Sequence, residues 1–156
     1  WNAVQDLKKY MKTPSKLALA ETIPSQCQRI SGLIGQEHME SDLLKVWLEA
    51  EDLLYEDPSN HKLGWEESTL HEKFMENGWR IDDWKLQTFQ TPSRIPLWLL
   101  ESWFSDDDNP CCYGKRLEEK IGTLRVQNIH KALRRHVAGR IVPWKSCWLF
   151  FCISTQ

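Results

Sequence analysis

A chain of 156 residues with 41% hydrophobic content is the size of one ordinary domain and is long enough to bury a core. Charged residues make up 27% and the formal net charge is -2, so the chain carries no global electrostatic signature of a nucleic-acid or membrane binder. Its 5 cysteines are an odd count, include the adjacent Cys111 and Cys112 and follow no signal peptide, which argues against a secreted disulfide framework and for a reducing cytoplasm.

The longest apolar run, Cys147 to Ile153, is too short to cross a bilayer, so a soluble chain with no membrane partner is expected. The chain opens at Trp1 and not at a Met, which reads as a piece of something longer.

Asn2 to Met11 places Val4, Leu7 and Met11 at helical spacing and is stopped by Thr13-Pro14-Ser15. Lys16 to Ile23 is apolar nearly throughout and closed by Pro24, the pattern of an interior strand. Ser25 to Gly35 reads as irregular, leaving the carboxyl end of that strand, where open α/β sheets place their ligands. From Glu37 the period becomes helical, with Leu43, Leu44, Trp47, Leu48, Leu54 and Tyr55 on one stripe, until Asp57-Pro58-Ser59-Asn60 ends it. A second helix is predicted over Glu66 to Asn77, with Leu70 and Phe74 inward and Gly78 just past its end.

Trp79 to Gln90 alternates like a strand near a sheet edge, and Asp82-Asp83 is the place for a bulge because Trp79 and Ile81 do not share parity with Trp84. Pro92 and Pro96 flank a predicted turn, Leu97 to Phe104 a short apolar helix, and Ser105 to Pro110 an acidic exposed loop. Two further helices are predicted over Gly114 to Leu124 and Val126 to Val137, the latter with Val126, Ile129, Leu133 and Val137 inward and Gly139 behind it. The last run carries Trp144, Trp148, Phe150 and Cys152 at even positions and Cys147, Leu149, Phe151 and Ile153 at odd ones, which predicts a central strand buried on both faces.

The expectation is therefore an α/β unit over residues 1–156, a partial three-layer sheet sandwich with strands at 16–23, 79–90 and 143–153, the last central and antiparallel. This succession, with Phe74-Met75-Glu76-Asn77-Gly78-Trp79-Arg80-Ile81 leading into the middle strand, resembles the C-terminal half of a class I S-adenosylmethionine-dependent methyltransferase. More narrowly, Leu19-Ala20-Glu21-Thr22-Ile23-Pro24-Ser25-Gln26, Ala50-Glu51-Asp52-Leu53-Leu54-Tyr55-Glu56-Asp57-Pro58 and Val142-Pro143-Trp144-Lys145-Ser146 are similar to a methyltransferase-like region fused behind a replication-associated recombination AAA+ ATPase in cyanobacteria.

The resemblance implies that the partner of this segment is the N-terminal part of its own domain. In the family, a Gly-rich loop after the first strand and an acidic residue ending the second grip the methyl donor, and this sequence has neither. No cofactor is expected on this segment alone, and S-adenosylmethionine only when the preceding half is present.

Glu21 would then lie at the strand end nearest a substrate, where it is the candidate to orient or deprotonate an acceptor, with Arg29 as the candidate for an anionic one. A strand-end carboxylate that merely pairs with a cation is the plainer reading. The last third is locally basic, so Lys131, Arg134 and Arg135 are candidate nucleic-acid contacts with Trp144 as a stacking aromatic, and DNA or a repair protein is the alternative partner. Glu118 and Glu119 interrupt the basic run and leave a solvated helix face as the competing account. No metal site is expected, because adjacent Cys111 and Cys112 cannot easily supply two ligands to one tetrahedral ion. Phosphate-loop and hydrolase motifs are absent as well.

Overall fold

The computed structural model describes residues 2–57, 63, 66–105 and 112–155. In chain order the elements are α1 (Asn2–Tyr10), β1 (Lys16–Thr22), α2 (Ser41–Tyr55), α3 (Glu67–Glu76), β2 (Trp79–Arg94), α4 (Leu97–Trp103), α5 (Tyr113–Ile121), α6 (Thr123–His136) and β3 (Ile141–Thr155). The three strands form one sheet in the order β1-β3-β2, so the last strand is central, as its composition predicts.

β3 runs antiparallel to β1 in a register that sets Lys16 opposite Ser154 and Thr22 opposite Trp148. β2 is antiparallel to β3 as well. Ser154 meets Asp82 and Cys147 meets Thr88, so residue numbers rise along one strand as they fall along the other.

The chain gathers into two compact units: Trp1–Cys27 with Trp65–Phe89 and Ser146–Gln156, and Gln28–Gly64 with Gln90–Lys145. The core of the first is Ile23, Phe74, Trp79, Cys147, Leu149, Phe151 and Ile153. Val4 and Met11 from the amino-terminal segment, Leu70 of α3, and Leu17 and Leu19 of β1 pack against it. Leu17 and Leu19 stand opposite Ile153 and Phe151, so both strands present the same face to α1 and α3. Leu7 departs from the expected stripe and is exposed.

The prediction that β3 is buried on both faces needs correction. Its odd positions from Cys147 to Ile153 are buried, whereas Phe150 is 38% exposed and Trp148 and Cys152 are half-buried. Ala18 and Ala20 of β1, opposite Cys152 and Phe150, are exposed, and Phe89 of β2 meets Phe150 edge-on with ring centroids 6.5 Å apart. This second face has aromatic content and is only partly buried.

On β2 the parity change expected near Asp82 is present: Trp79, Ile81 and Trp84 all reach the same core, which requires one irregular residue between Ile81 and Trp84. β2 also continues through Pro92 to Arg94, past the predicted end.

The second unit is helical around Trp47, Ala50, Leu54, Ile95, Leu100, Leu117, Ile121, Val126, Ile129, Leu133 and Val137. The four predicted inward residues of α6 are all buried. α2 begins at Ser41, later than the expected Glu37, because 3-10 turns at Ser31–Leu33 and Gln36–His38 take up the chain before it. Its buried stripe is Trp47, Ala50, Glu51 and Leu54, while Leu48 is 43% exposed. α5 and α6 divide at Gly122 (φ 83), not after Leu124, because that extended left-handed conformation favours a residue without Cβ. The acidic loop after Ser105 and the turn after Asp57 lie outside the described residues.

Candidate functional site

In the second unit the geometry is organised by Glu51. Its carboxylate, 1% exposed, accepts the Ile30 N–H at 2.9 Å, the Ser31 N–H at 3.2 Å and the Tyr113 hydroxyl at 3.0 Å, and the Ser31 hydroxyl also donates to it. Tyr113 accepts the Trp47 indole N–H at 2.6 Å. The group thus caps the Ser31–Leu33 turn and ties it to α2 and α5. Burial first, then the adjacent Glu51 charge, pushes the Tyr113 hydroxyl well above its ordinary value of 10.0, so it acts as a donor and not as a base. Spacing from Trp47 puts Glu51 on the buried side of α2, which is the signal that could have found it.

Arg29 is already engaged. Its guanidinium lies over the Tyr55 ring at 3.7 Å, stands 3.4 Å from an Asp52 carboxylate oxygen and donates to the Glu51 carbonyl at 3.4 Å. Trp144 is half-buried and packs against the helical core, tilted on Trp103 with ring centroids 6.4 Å apart. Lys131, Arg134 and Arg135 are exposed and, with Gln127 and His130, line one shallow depression on α6. Glu101 of α4 faces two of these residues, 3.0 Å from Arg134 Nε and 3.2 Å from His130 Nε2. These are ion-pairing distances without hydrogen-bond alignment at Glu101 Oε1 or His130 Nε2.

No family model, curated protein or solved structure matches the chain.

Also in this unit, His38 and His136 stack with centroids 4.1 Å apart and an interplanar angle of 11°, a pairing that sequence distance concealed. His136 is held below its ordinary value of 6.5, first by loss of solvent and then by His38, Arg135 and Arg140, with Glu37 opposing. Among the described residues no group of three potential metal ligands exists. The Cys112 sulfur lies 3.2 Å from the Trp103 carbonyl oxygen and 3.0 Å from that of Ser105, either of which can accept its one S–H, and Cys111 lies outside the described residues.

In the first unit Glu21 is exposed near the carboxyl end of β1, opposite Leu149, and makes no ion pair or side-chain hydrogen bond to the described residues. Asp82 gathers Arg80 Nε at 2.8 Å, Lys16 Nζ at 3.2 Å and the Ser154 hydroxyl at 3.2 Å. These partners, Arg80 foremost, hold it below its ordinary value of 3.8. Glu21 stands in one unit and Arg29, Trp144, Lys131, Arg134 and Arg135 in the other. No described helix is long and apolar enough to cross a membrane.

Proposed function

We propose that this chain is the C-terminal part of a methyltransferase-like α/β domain and works with a preceding part of that domain. The observation that carries this reading is the sheet: a long central strand antiparallel to both neighbours, with β1 at an edge and a face on which Phe89 and Phe150 are exposed and Trp148 is half-buried. Such a sheet has room for further strands beside β1 and a further layer over its open face. Glu21, exposed near the carboxyl end of β1, is then the residue placed to orient an acceptor.

The residues of this chain do not fit S-adenosylmethionine by themselves, since neither the Gly-rich loop nor the acidic strand end is among them. No methyl-transfer step is assigned to them. A polypeptide extended by the preceding residues of its gene is expected to give saturable heat with S-adenosylmethionine in calorimetry. Absence of heat at saturating cofactor rejects the enzyme reading.

A second reading, a DNA- or partner-binding module of a replication or recombination ATPase, is favoured by the exposed Lys131 and Arg135 in the depression on α6. Because Glu101 already engages Arg134, the discriminating variant is Lys131→Glu with Arg135→Glu. It should weaken oligonucleotide binding at low salt and flatten the salt dependence; equal affinity rejects the module.

A further inference from the structure

β1 ends at Thr22, and the next residues fold back onto the central strand. Ile23 N–H donates to the Cys147 carbonyl at 2.9 Å, a 3-10 turn occupies Pro24–Gln26, and Cys27 N–H closes on the Pro24 carbonyl at 3.1 Å. This turn sets Cys27 against β3, with its Sγ 3.4 Å from the Cys147 backbone N and 3.7 Å from the Cys147 carbonyl oxygen. Cys147 is 0% exposed, its sulfur lying 3.5 Å from Gln26 Oε1 and 3.7 Å from Thr88 Oγ1.

With an N–Cα bond of about 1.46 Å, the Cys27 sulfur is within roughly 5 Å of the Cys147 Cα. Disulfides join residues whose Cα atoms are about 4.4–6.8 Å apart, and this close approach of the Cys27 sulfur to the Cys147 backbone is the contact from which the two side chains would turn their sulfurs together. The other described thiols are less suited. Cys112 belongs to the other unit, and Cys152 lies on the opposite face of β3 from Cys147.

We propose that Cys27 and Cys147 form a modification site for low-molecular-weight disulfides, represented by glutathione disulfide. Of the two, Cys27 is half-buried and Cys147 buried, so Cys27 is the one that solvent reaches first. Its thiolate attacks one sulfur of glutathione disulfide, forming a mixed disulfide and expelling one glutathione thiolate. Cys147 then attacks the Cys27 sulfur and expels the second. Two protein thiols are oxidised to one disulfide, one glutathione disulfide is reduced to two thiols, and the two protein protons end on the glutathiones. The new bond pins the turn after β1 to the central strand, joining positions 120 residues apart in sequence.

The test uses the whole chain with glutathione disulfide. The thiol count after denaturation is expected to fall from 5 to about 3, with a loss of two hydrogens in intact mass and a non-reducing peptide map linking Cys27 to Cys147. Cys147→Ser should instead stop at one stable glutathione on Cys27. Cys27→Ser should keep Cys147 as a free thiol in the peptide map, which tests the order of attack even where Cys147→Ser fails to fold. A wild-type chain that stops at the mixed disulfide, links a different pair or does not react overturns the proposal, as does a Cys27→Ser chain that reacts equally.

Discussion

Glu51 shows how much a single side chain holds in place. A charged group with 1% exposure is tolerated only when its oxygens are supplied with donors, and here two backbone N–H groups and two hydroxyls supply them. Glu51→Ala leaves the Ile30 and Ser31 N–H groups buried without acceptors, so urea unfolding should show a loss of about 3 kcal/mol. Tyr113→Phe removes the acceptor of the Trp47 indole and should cost about 1–2 kcal/mol.

Asp82 and His136 give the stability its pH dependence. Because Asp82 is depressed in the fold, its contribution is fully present above the unfolded carboxylate value and is lost as pH falls through the lower folded value. Asp82→Asn should therefore lower the melting temperature at neutral pH, with the gap to wild type closing at strongly acid pH. His136 is also depressed, but for an imidazole this means the unfolded chain binds the proton more readily. Stability should fall as pH drops below 6.5, and thermal melts of His136→Gln should lose that part of the slope. Equal slopes in the two proteins would exclude the stacked imidazoles as its source.

At the scale of elements, period and punctuation account for most of what the sequence predicts correctly. The α6 stripe and the parity break on β2 are local patterns, each set by which residues must share one face. What escaped was decided by residues distant in sequence. The spacing of Glu51 from Trp47 marks it as facing inward, but its partners Ile30, Ser31 and Tyr113 are brought to it only by the fold, and nothing in a linear reading places His38 over His136. The α5–α6 boundary was legible in principle: a Cβ at Gly122 meets nothing within 4 Å, so the demand for glycine there is purely conformational. Gly122→Ala should accordingly cost about 1–3 kcal/mol in chemical denaturation through backbone strain without a clash.

On the scale of the whole molecule, strand order followed from composition, whereas the coverage of the sheet did not. Aromatic residues at both parities of β3 predict two buried faces, yet from Cys147 to Ile153 the odd positions are buried and the even ones half-buried or exposed. The candidate residues were individually visible as charges and aromatics, but their division between two units was not, since that depends on where a chain turns back. Replacing Phe89 and Phe150 by Lys should leave the fold intact while abolishing binding of a hydrophobic dye such as ANS. Undiminished dye fluorescence would show that this face is not the apolar surface the dye reads.

The position of β3 also bears on how the protein comes into being. β1 and β2 both depend on it, and Ser15 and Thr155, which close one end of the first pairing, stand 140 residues apart. During synthesis both flanking strands must wait without their mate while the helices between them assemble from local contacts. Premature termination before Ile141 would therefore release two orphaned strands rather than a smaller sheet, and a nascent chain of this kind needs shelter until its closing segment clears the ribosome.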